Sequence, residues 1–210
     1  MSGFSPRSDW TGALLVGGRS RRMGVDKLRL TLPDGERLVD HPAAALRATC
    51  GHLLAIDAAG GAAPRLEGFS VVPDSIPDIG PAASLLTALQ YATTPWVLLL
   101  AGDMPQVGPH FLRRLQDLAE EEPGCALLAE SPHGLEPTLA AYPKSLLSVV
   151  QARVLEGQRA LRHLIPQTHR RTWPFSDLQA TSSQNEPLCN LNNPQDWQTF
   201  TGQALPEHHA

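Results

Sequence analysis

Short apolar runs alternate with amphipathic stretches from residue 12 to about residue 201. Several runs are almost continuously apolar, as expected for parallel strands that are covered on both faces. The pattern predicts seven buried strands, at Gly12–Val16, His52–Asp57, Phe69–Val72, Trp96–Leu100, Cys125–Ala129, Thr138–Tyr142 and Arg171–Phe175.

Helical patterns fill the segments between these runs. The clearest is Pro109–Glu121, where Pro109 suits a first turn and four apolar residues share one stripe. Further helices are predicted at Leu38–Thr49, Ala82–Tyr91, Lys144–Leu155, Gln158–Leu164 and Pro194–Phe200. Strands and helices in alternation favour a doubly wound α/β sheet, whose ligands bind beyond the carboxyl ends of the strands.

Length and charge restrict the classes of protein to which the chain can belong. Its 210 residues suit one domain, predicted at residues 11–202 between a disordered tail (1–10) and a frayed tail (203–210). The net charge of -4 gives no broad basic field, so we expect no nucleic-acid partner. The longest apolar run, Trp96–Ala101, is far below the roughly 20 residues that span a bilayer, so no membrane association is expected.

The three cysteines and the first nine residues indicate the cellular compartment in which the protein is expected. Cys50, Cys125 and Cys189 are odd in number and far apart, which argues against a disulfide framework and a zinc site. The first nine residues lack the apolar core of a signal peptide. We therefore expect a cytoplasmic protein.

The loop after the first predicted strand is rich in groups that bind phosphate. Gly17 and Gly18 allow a sharp turn with exposed N–H groups, Ser20 adds a hydroxyl, and Arg22 and Lys27 add positive charge. Such a set suits a triphosphate, although a basic surface loop with turn glycines would look similar by composition. The loop lacks both the Walker A ending and the G-x-G-x-x-G fingerprint.

Two aspartates follow strand ends. The carboxylate of Asp74 can accept from both N1–H and the 2-amino group of guanine, but it can also cap a turn or the helix that begins near Ala82. Asp103 follows the buried run that ends near Ala101 and is well placed for Mg²⁺, which prefers oxygen ligands. The alternative for Asp103 is a turn residue before the next helix. Near the C-terminus, Asn192 is a weaker candidate, since it can simply cap the last helix.

The order of residues in Leu15–Lys27 resembles the L-A-G-G-x-S-x-R-M-G-x-D-K signature of nucleotidyltransferases similar to molybdenum cofactor guanylyltransferase. Only Val16 departs, where Ala is usual. Asp103 matches the family's D-x-P motif, and Asn190–Asp196 is similar to its N-x-N-T-P-E-D stretch. The largest departure is in the G-P-L-A-G segment, which here ends in Ala82-Ala83-Ser84. The resemblance covers residues 12 to about 201.

The resemblance implies a three-layer α/β/α sandwich of the nucleotide-diphospho-sugar transferase type. It implies transfer of GMP from GTP to the phosphate of a molybdenum-molybdopterin cofactor, with Mg²⁺ on Asp103 and with molybdoenzymes or cofactor-delivery proteins as further partners. Asp103, Lys27 and Arg22 would be catalytic. Arg159 would hold the acceptor phosphate, and Asn192 would lie near the metal. The residues implied to contact the nucleotide are Leu15, Val16, Gly17, Gly18, Ser20, Lys27, Asp74, Gly80, Pro81 and Asp103.

Alternatives stay open at this stage. A sister enzyme of the same fold could use CTP or another phosphorylated acceptor, and Asp74 is the feature that favours guanine. A non-catalytic protein could keep the fold and deliver cofactor, against which Lys27 and Asp103 argue. A nicotinamide dehydrogenase is disfavoured because the dinucleotide fingerprint is absent.

Overall fold

The computed structural model of the chain describes residues 5–17, 26–58, 63–77, 79–174, 176–177 and 190–206. Within them, each of the seven predicted runs contributes a strand to one sheet. The strands are β1 (Arg7–Leu15), β2 (Cys50–Asp57), β3 (Ser70–Pro73), β4 (Trp96–Ala101), β5 (Ala126–Ser131), β6 (Gly134–Pro143) and β7 (Arg170–Trp173).

The strand order across the sheet is β3-β2-β1-β4-β6-β5-β7. Neighbouring strands run parallel except for β6, which is antiparallel to both β4 and β5. The exception has a local cause: only residues 132 and 133 separate β5 from β6, and Gly134 has φ 116°, so the chain turns back in a tight hairpin. The mostly parallel sheet predicted from the apolar runs is confirmed.

Helices cover both faces of the sheet. They are α1 (Asp40–Thr49), α2 (Pro81–Tyr91), α3 (Pro109–Glu120), α4 (Leu147–Leu155) and α5 (Pro194–Thr201). Buried residues of α1 and α3 share one core cluster with the sheet, and those of α2 and α4 share a second cluster. The single-domain α/β/α sandwich is therefore confirmed, with its two cores separated by the sheet.

The first strand begins five residues earlier than its apolar pattern indicates. Arg7 forms ion pairs with Asp117 and Glu120 of α3. Trp10 stacks on Trp96 with ring centroids 5.0 Å apart. These contacts extend β1, so the tail boundary predicted at residue 10 falls inside the strand.

The helix predicted over Gln158–Leu164 is wrong. Gly157 has φ 87° and ends the preceding helix, and the Gln158 side chain accepts a hydrogen bond from the backbone N–H of Ala160. Only the short 3-10 helix Leu161–His163 forms. The apolar spacing that suggested an α-helix instead places Leu161 and Leu164 in the core on the α2–α4 side.

The C-terminal helix is held by a small core of its own. Trp197 of α5 packs with Leu191 and with the segment that follows the first loop, through Leu30, Leu32 and Leu38. The cluster therefore ties the end of the chain to the region around Lys27. In the parts of the chain that the structure describes, no helix is long and apolar enough to cross a membrane.

Candidate active site

A cleft of about 290 Å³ opens where β1 and β4 end side by side. Leu15 and Ala101 are register partners at these ends. After β1 the chain continues to β2 on one side, while β4 lies on the other, so the cleft occupies the switch point at which doubly wound sheets bind ligands. It is lined by Leu15, Gly17, Lys27, Leu28, Pro81, Ala101, Gly102, Asp103, Thr138, Asn190 and Asn192.

Two glycines allow the backbone segments that line the cleft to lie close together. A Cβ on Gly17 would lie 2.0 Å from the backbone nitrogen of Ala58, the residue after β2. A Cβ on Gly102 would lie 2.8 Å from the carbonyl oxygen of Leu15, which accepts a hydrogen bond from the Gly102 N–H at 3.1 Å. Both positions therefore require glycine for the backbones to approach this closely.

Lys27 and Asp103 meet across the cleft. The Lys27 Nζ lies 2.6 Å from Asp103 Oδ2, and the two side chains are 17% and 14% exposed. The same ammonium donates to the carbonyl oxygen of Leu191 at 3.0 Å and to Asn192 Oδ1 at 3.2 Å. An ammonium has three protons, so every donor of Lys27 has an acceptor.

The backbone around this ion pair is anchored from several sides. Lys27 begins a 3-10 helix whose next residue, Leu28, is buried in the core on the α1–α3 side. Asp103 lies two residues after the end of β4, and its carbonyl oxygen accepts from the Leu191 N–H at 3.2 Å. Segments that are 76 and 165 residues apart in sequence are therefore fixed at one point.

Asn192 and Asn193, near the C-terminus, have different roles, whereas the sequence left open whether Asn192 caps the last helix or lies in the site. Asn193 caps α5: its side chain accepts from the N–H groups of Gln195 and Asp196, and Asp196 accepts in return from the Asn193 N–H. Asp196 also accepts from the Asn192 N–H at 2.7 Å. The cap thereby fixes the backbone of Asn192, whose side chain points to Lys27 instead of capping the helix.

The donor set of the cleft suits a magnesium ion that is held mainly by substrate. Among the described residues, no group of three or more His, Cys, Asp or Glu side chains could form a protein cage for a metal. Asp103 supplies one carboxylate, and the buried Asn190 Oδ1 has no hydrogen-bond partner among those residues. Mg²⁺ commonly takes one or two carboxylates and completes its shell with phosphate and water, so the residues present fit it.

Asp74 lies away from this pair, at the end of β3. Its N–H donates to the Asp57 carbonyl oxygen at 3.3 Å, and its Oδ2 accepts from the Ser84 hydroxyl of α2 at 3.1 Å. Its Oδ1 is buried without a hydrogen-bond partner among the described residues. Burial raises the pKa of the Asp74 carboxyl, the hydroxyls of Ser84 and Thr87 oppose that rise, and the nearby Asp57 adds to it.

The remaining predicted residues fall into three groups. Gly80, with φ 78°, precedes the cleft residue Pro81 as the N-cap of α2, and Val16 is buried below the cleft. Arg159 is exposed in the loop after α4 and is not among the described residues that line the cleft. Gly18, Ser20 and Arg22 lie outside the described residues.

Several cleft residues were not predicted. Gly102 is one, although its place directly before Asp103 was a usable signal. Thr138 and Asn190 are others, and the Leu191 carbonyl contributes through its backbone. No sequence pattern identifies a backbone carbonyl that turns toward a lysine 164 residues away.

Comparison with known proteins agrees with the fold. The model of the family described as MobA-like NTP transferase domain matches residues 12–172. A probable molybdenum cofactor guanylyltransferase of Chloroflexus aggregans is 33% identical over 89% of this chain and 90% of its own. The molybdenum cofactor guanylyltransferase of Serratia proteamaculans is 32% identical over 91% of this chain and 95% of its own.

A solved structure shows the same fold. It is the molybdopterin-guanine dinucleotide biosynthesis protein A of Archaeoglobus fulgidus, with a TM-score of 0.74. The match covers 91% of this chain and 97% of that one at 23% identity. At this identity the likeness concerns the fold alone.

Proposed function

Because the chain belongs to the family of MobA-like NTP transferase domains, we propose that it transfers GMP from GTP to the terminal phosphate of a molybdenum-molybdopterin cofactor. The products would be the guanine dinucleotide form of the cofactor and pyrophosphate. The names of the Chloroflexus and Serratia relatives support this choice of substrates, since both align over nearly their whole length.

The observation that carries the proposal is the meeting of Lys27 and Asp103 at the switch point. A cation and a carboxylate that face one cleft can serve a triphosphate in two ways. The ammonium would offset the charge of phosphate oxygens, and the carboxylate would hold a divalent cation that supplies further positive charge. The glycine-lined walls at Gly17 and Gly102 let backbone groups approach the same ligand.

The cleft and Asp74 are spaced for a nucleotide. Neighbouring strands lie about 4.8 Å apart, so the ends of β3 and β4, three steps apart, are separated by about 14 Å. We place the base beside Asp74 and the triphosphate beside Lys27 and Asp103. Pro81 lines the cleft, and Ser84 of the same helix binds Asp74, so α2 would run along the nucleotide between the two ends.

In the proposed reaction an oxygen of the acceptor phosphate forms a bond to the α-phosphorus of GTP. The bond from that phosphorus to the bridging oxygen breaks, and pyrophosphate leaves with the electron pair. The attacking phosphate is already ionised near neutral pH, so no general base is required. Positioning and charge neutralisation then supply most of the catalysis.

Lys27 would move from Asp103 to the phosphates when GTP binds, since all of its donors are engaged in the free protein. Asp103, together with the amide oxygens of Asn190 and Asn192, would hold Mg²⁺. The ion would supply positive charge that offsets the charge of the triphosphate. Arg22 and Ser20 would be further ligands of the triphosphate, and Arg159 would bind the acceptor phosphate.

The test compares nucleotides in the presence of Mg²⁺. We expect GTP to raise the Tm of the pure protein more than ATP, CTP or UTP at equal concentration, because only a bound ligand stabilises the folded state. We expect pyrophosphate release when GTP and the molybdopterin acceptor are both present. Stabilisation by CTP at least equal to that by GTP would overturn the guanylyl assignment. Binding of GTP and acceptor without pyrophosphate release would indicate a delivery protein.

A further inference from the structure

Ser84 makes an unusual contact for a serine inside a helix. It is the fourth residue of α2, and it is 4% exposed. A buried helical hydroxyl commonly donates to the carbonyl one turn earlier, as Thr87 does to Ala83 at 2.9 Å in the same helix. Ser84 instead donates to Asp74 Oδ2 at 3.1 Å, on a different element of the fold. Its single proton is therefore used to hold a carboxylate.

This contact leaves the two Asp74 oxygens unequal. Oδ2 is held by one donor and keeps a free lone pair, whereas Oδ1 is buried and has no partner among the described residues. A buried acceptor without a partner is destabilising, so the protein gains when a ligand supplies a donor there. A carboxylate fixed at one oxygen also cannot rotate freely, which sets the direction of the other.

We propose that Ser84 is a positioning residue for base selection, and that it holds the Asp74 carboxylate in the plane where both oxygens accept from a base with two adjacent N–H donors, such as guanine. The inference rests on the proposed function and adds a residue to it. The position is one where the G-P-L-A-G segment of similar enzymes ends in glycine, so this chain carries a hydroxyl that the motif does not supply.

The electrostatics of the pocket support the same role. Asp57 is buried at the end of β2, and its negative charge adds to the burial that raises the pKa of Asp74. The hydrogen bond from Ser84 lowers that pKa and so favours the ionised form, which accepts at both oxygens. The described groups that face Asp74 are thus Asp57 from β2 and the hydroxyls of Ser84 and Thr87 from α2.

The experiment measures the dissociation constants of GTP and ITP for the full chain and for Ser84→Ala. ITP keeps N1–H but lacks the 2-amino group, so it needs only one well-placed oxygen. We expect Ser84→Ala to weaken GTP binding about fivefold, the usual effect of one lost hydrogen bond, and to weaken ITP binding less. The preference for GTP over ITP should therefore fall, and Ser84→Thr, which keeps a hydroxyl, should retain it.

Ser131→Ala is the matched control. Ser131 is also buried, at 6% exposure, and its hydroxyl donates to the Gly134 carbonyl at 3.2 Å in the β5–β6 hairpin, outside the cleft lining. We expect this variant to keep the wild-type preference for GTP over ITP. A purely structural role for Ser84 would lower the Tm of Ser84→Ala and leave the preference unchanged.

The outcomes separate this inference from the proposed function. If the wild type prefers GTP over CTP and Ser84→Ala keeps the full GTP-over-ITP preference, the role of Ser84 is overturned and the guanylyl assignment stands. If the wild type binds GTP no better than CTP, both the role of Ser84 and the guanylyl assignment are overturned. A folded Ser84→Thr variant that loses the preference as fully as Ser84→Ala would also overturn the role of the hydroxyl.

Discussion

Two regions of the proposed site, a phosphate end at Lys27 and Asp103 and a base end at Asp74, are built on opposite electrostatic principles. At the phosphate end, Lys27 and Asp103 neutralise each other, and each Lys27 donor has an acceptor. At the base end, Asp74 faces a second buried carboxylate, Asp57, and keeps one oxygen without a partner among the described residues. The first region is satisfied before any ligand arrives, and the second is not.

Because their hydrogen bonding differs, the two ends are expected to have different functions. A ligand at the phosphate end must exchange existing hydrogen bonds, so that region contributes geometry and charge to any triphosphate. A ligand at the base end adds hydrogen bonds that the free protein lacks, and an acceptor left unsatisfied is destabilising by about 1–3 kcal/mol. Selection among bases is therefore expected at Asp74, and turnover is expected to depend on Lys27 and Asp103.

The largest effect should come from Asp103→Asn, which breaks the neutral pair at the phosphate end. Loss of the carboxylate should lower turnover by about 100-fold or more, as for other groups that stabilise developing charge. Pyrophosphate release measures it. Asp117→Asn, which removes a carboxylate paired with Arg7 on the far end of β1, should leave turnover unchanged. Normal turnover in folded Asp103→Asn would exclude Asp103 from the mechanism.

Lys27→Ala should separate phosphate binding from base binding. Hydrogen bonds to charged groups contribute about 1.5–3 kcal/mol, so GTP affinity should fall roughly 10- to 100-fold. Guanosine affinity should change little, since guanosine carries no phosphate. Titration calorimetry with both ligands measures the contrast, and Arg47→Ala, on the surface end of α1, controls for the loss of one positive charge. Equal losses for GTP and guanosine would contradict a phosphate role for Lys27.

Asp74→Asn tests the base end directly. The amide replaces one acceptor oxygen by a donor that faces the purine N–H groups, and GTP affinity should fall by roughly 1–3 kcal/mol. ITP should bind the wild type less well than GTP and should lose less on substitution. Dissociation constants for the two nucleotides check this. If the wild type binds ATP or CTP as tightly as GTP, Asp74 is only a turn residue.

The raised pKa of Asp74 predicts an unusual pH dependence of guanosine binding. The carboxylate must be ionised to accept twice, so affinity should fall as the pH drops through its pKa, which lies above the ordinary value because of burial. One pH unit below that pKa the affinity should be about tenfold lower. Guanosine avoids the titration of the γ-phosphate. A flat profile between pH 4 and 7 would contradict the prediction, and Asp74→Asn should remove the dependence.

The smallest effect concerns stability without ligand. The folded protein raises the pKa of Asp74, so in the window between the unfolded and folded values it binds more protons than the unfolded chain, and stability falls as the pH rises. An amide mimics the neutral acid, so Asp74→Asn should raise the Tm at pH 7 slightly. The gain should shrink toward pH 4.

The sequence by itself determined the succession of strands and most helices, and the strand ends at which candidate site residues lie. All seven apolar runs are strands, and α3 begins at Pro109 as its stripe predicts. These features depend on neighbouring residues, since short apolar runs and a period of 3.6 residues can be seen in the chain. Gln158–Leu164 fails because Gly157 and the Gln158 side chain override that period. The prediction of Gly18, Ser20 and Arg22 as site residues depends on the Leu15–Lys27 motif alone, since these three residues lie outside the described residues.

Tertiary structure decided which of the candidate groups meet. Lys27, Asp103 and Asn192 converge only because β1 and β4 are neighbours and because the α5 core anchors the last segment beside them. The two Asp74 oxygens differ because Ser84, on another element, binds only one of them. The position of β6 between β4 and β5 likewise depends on contacts between distant segments. Such contacts are set by packing over the whole sheet, and no local period encodes them.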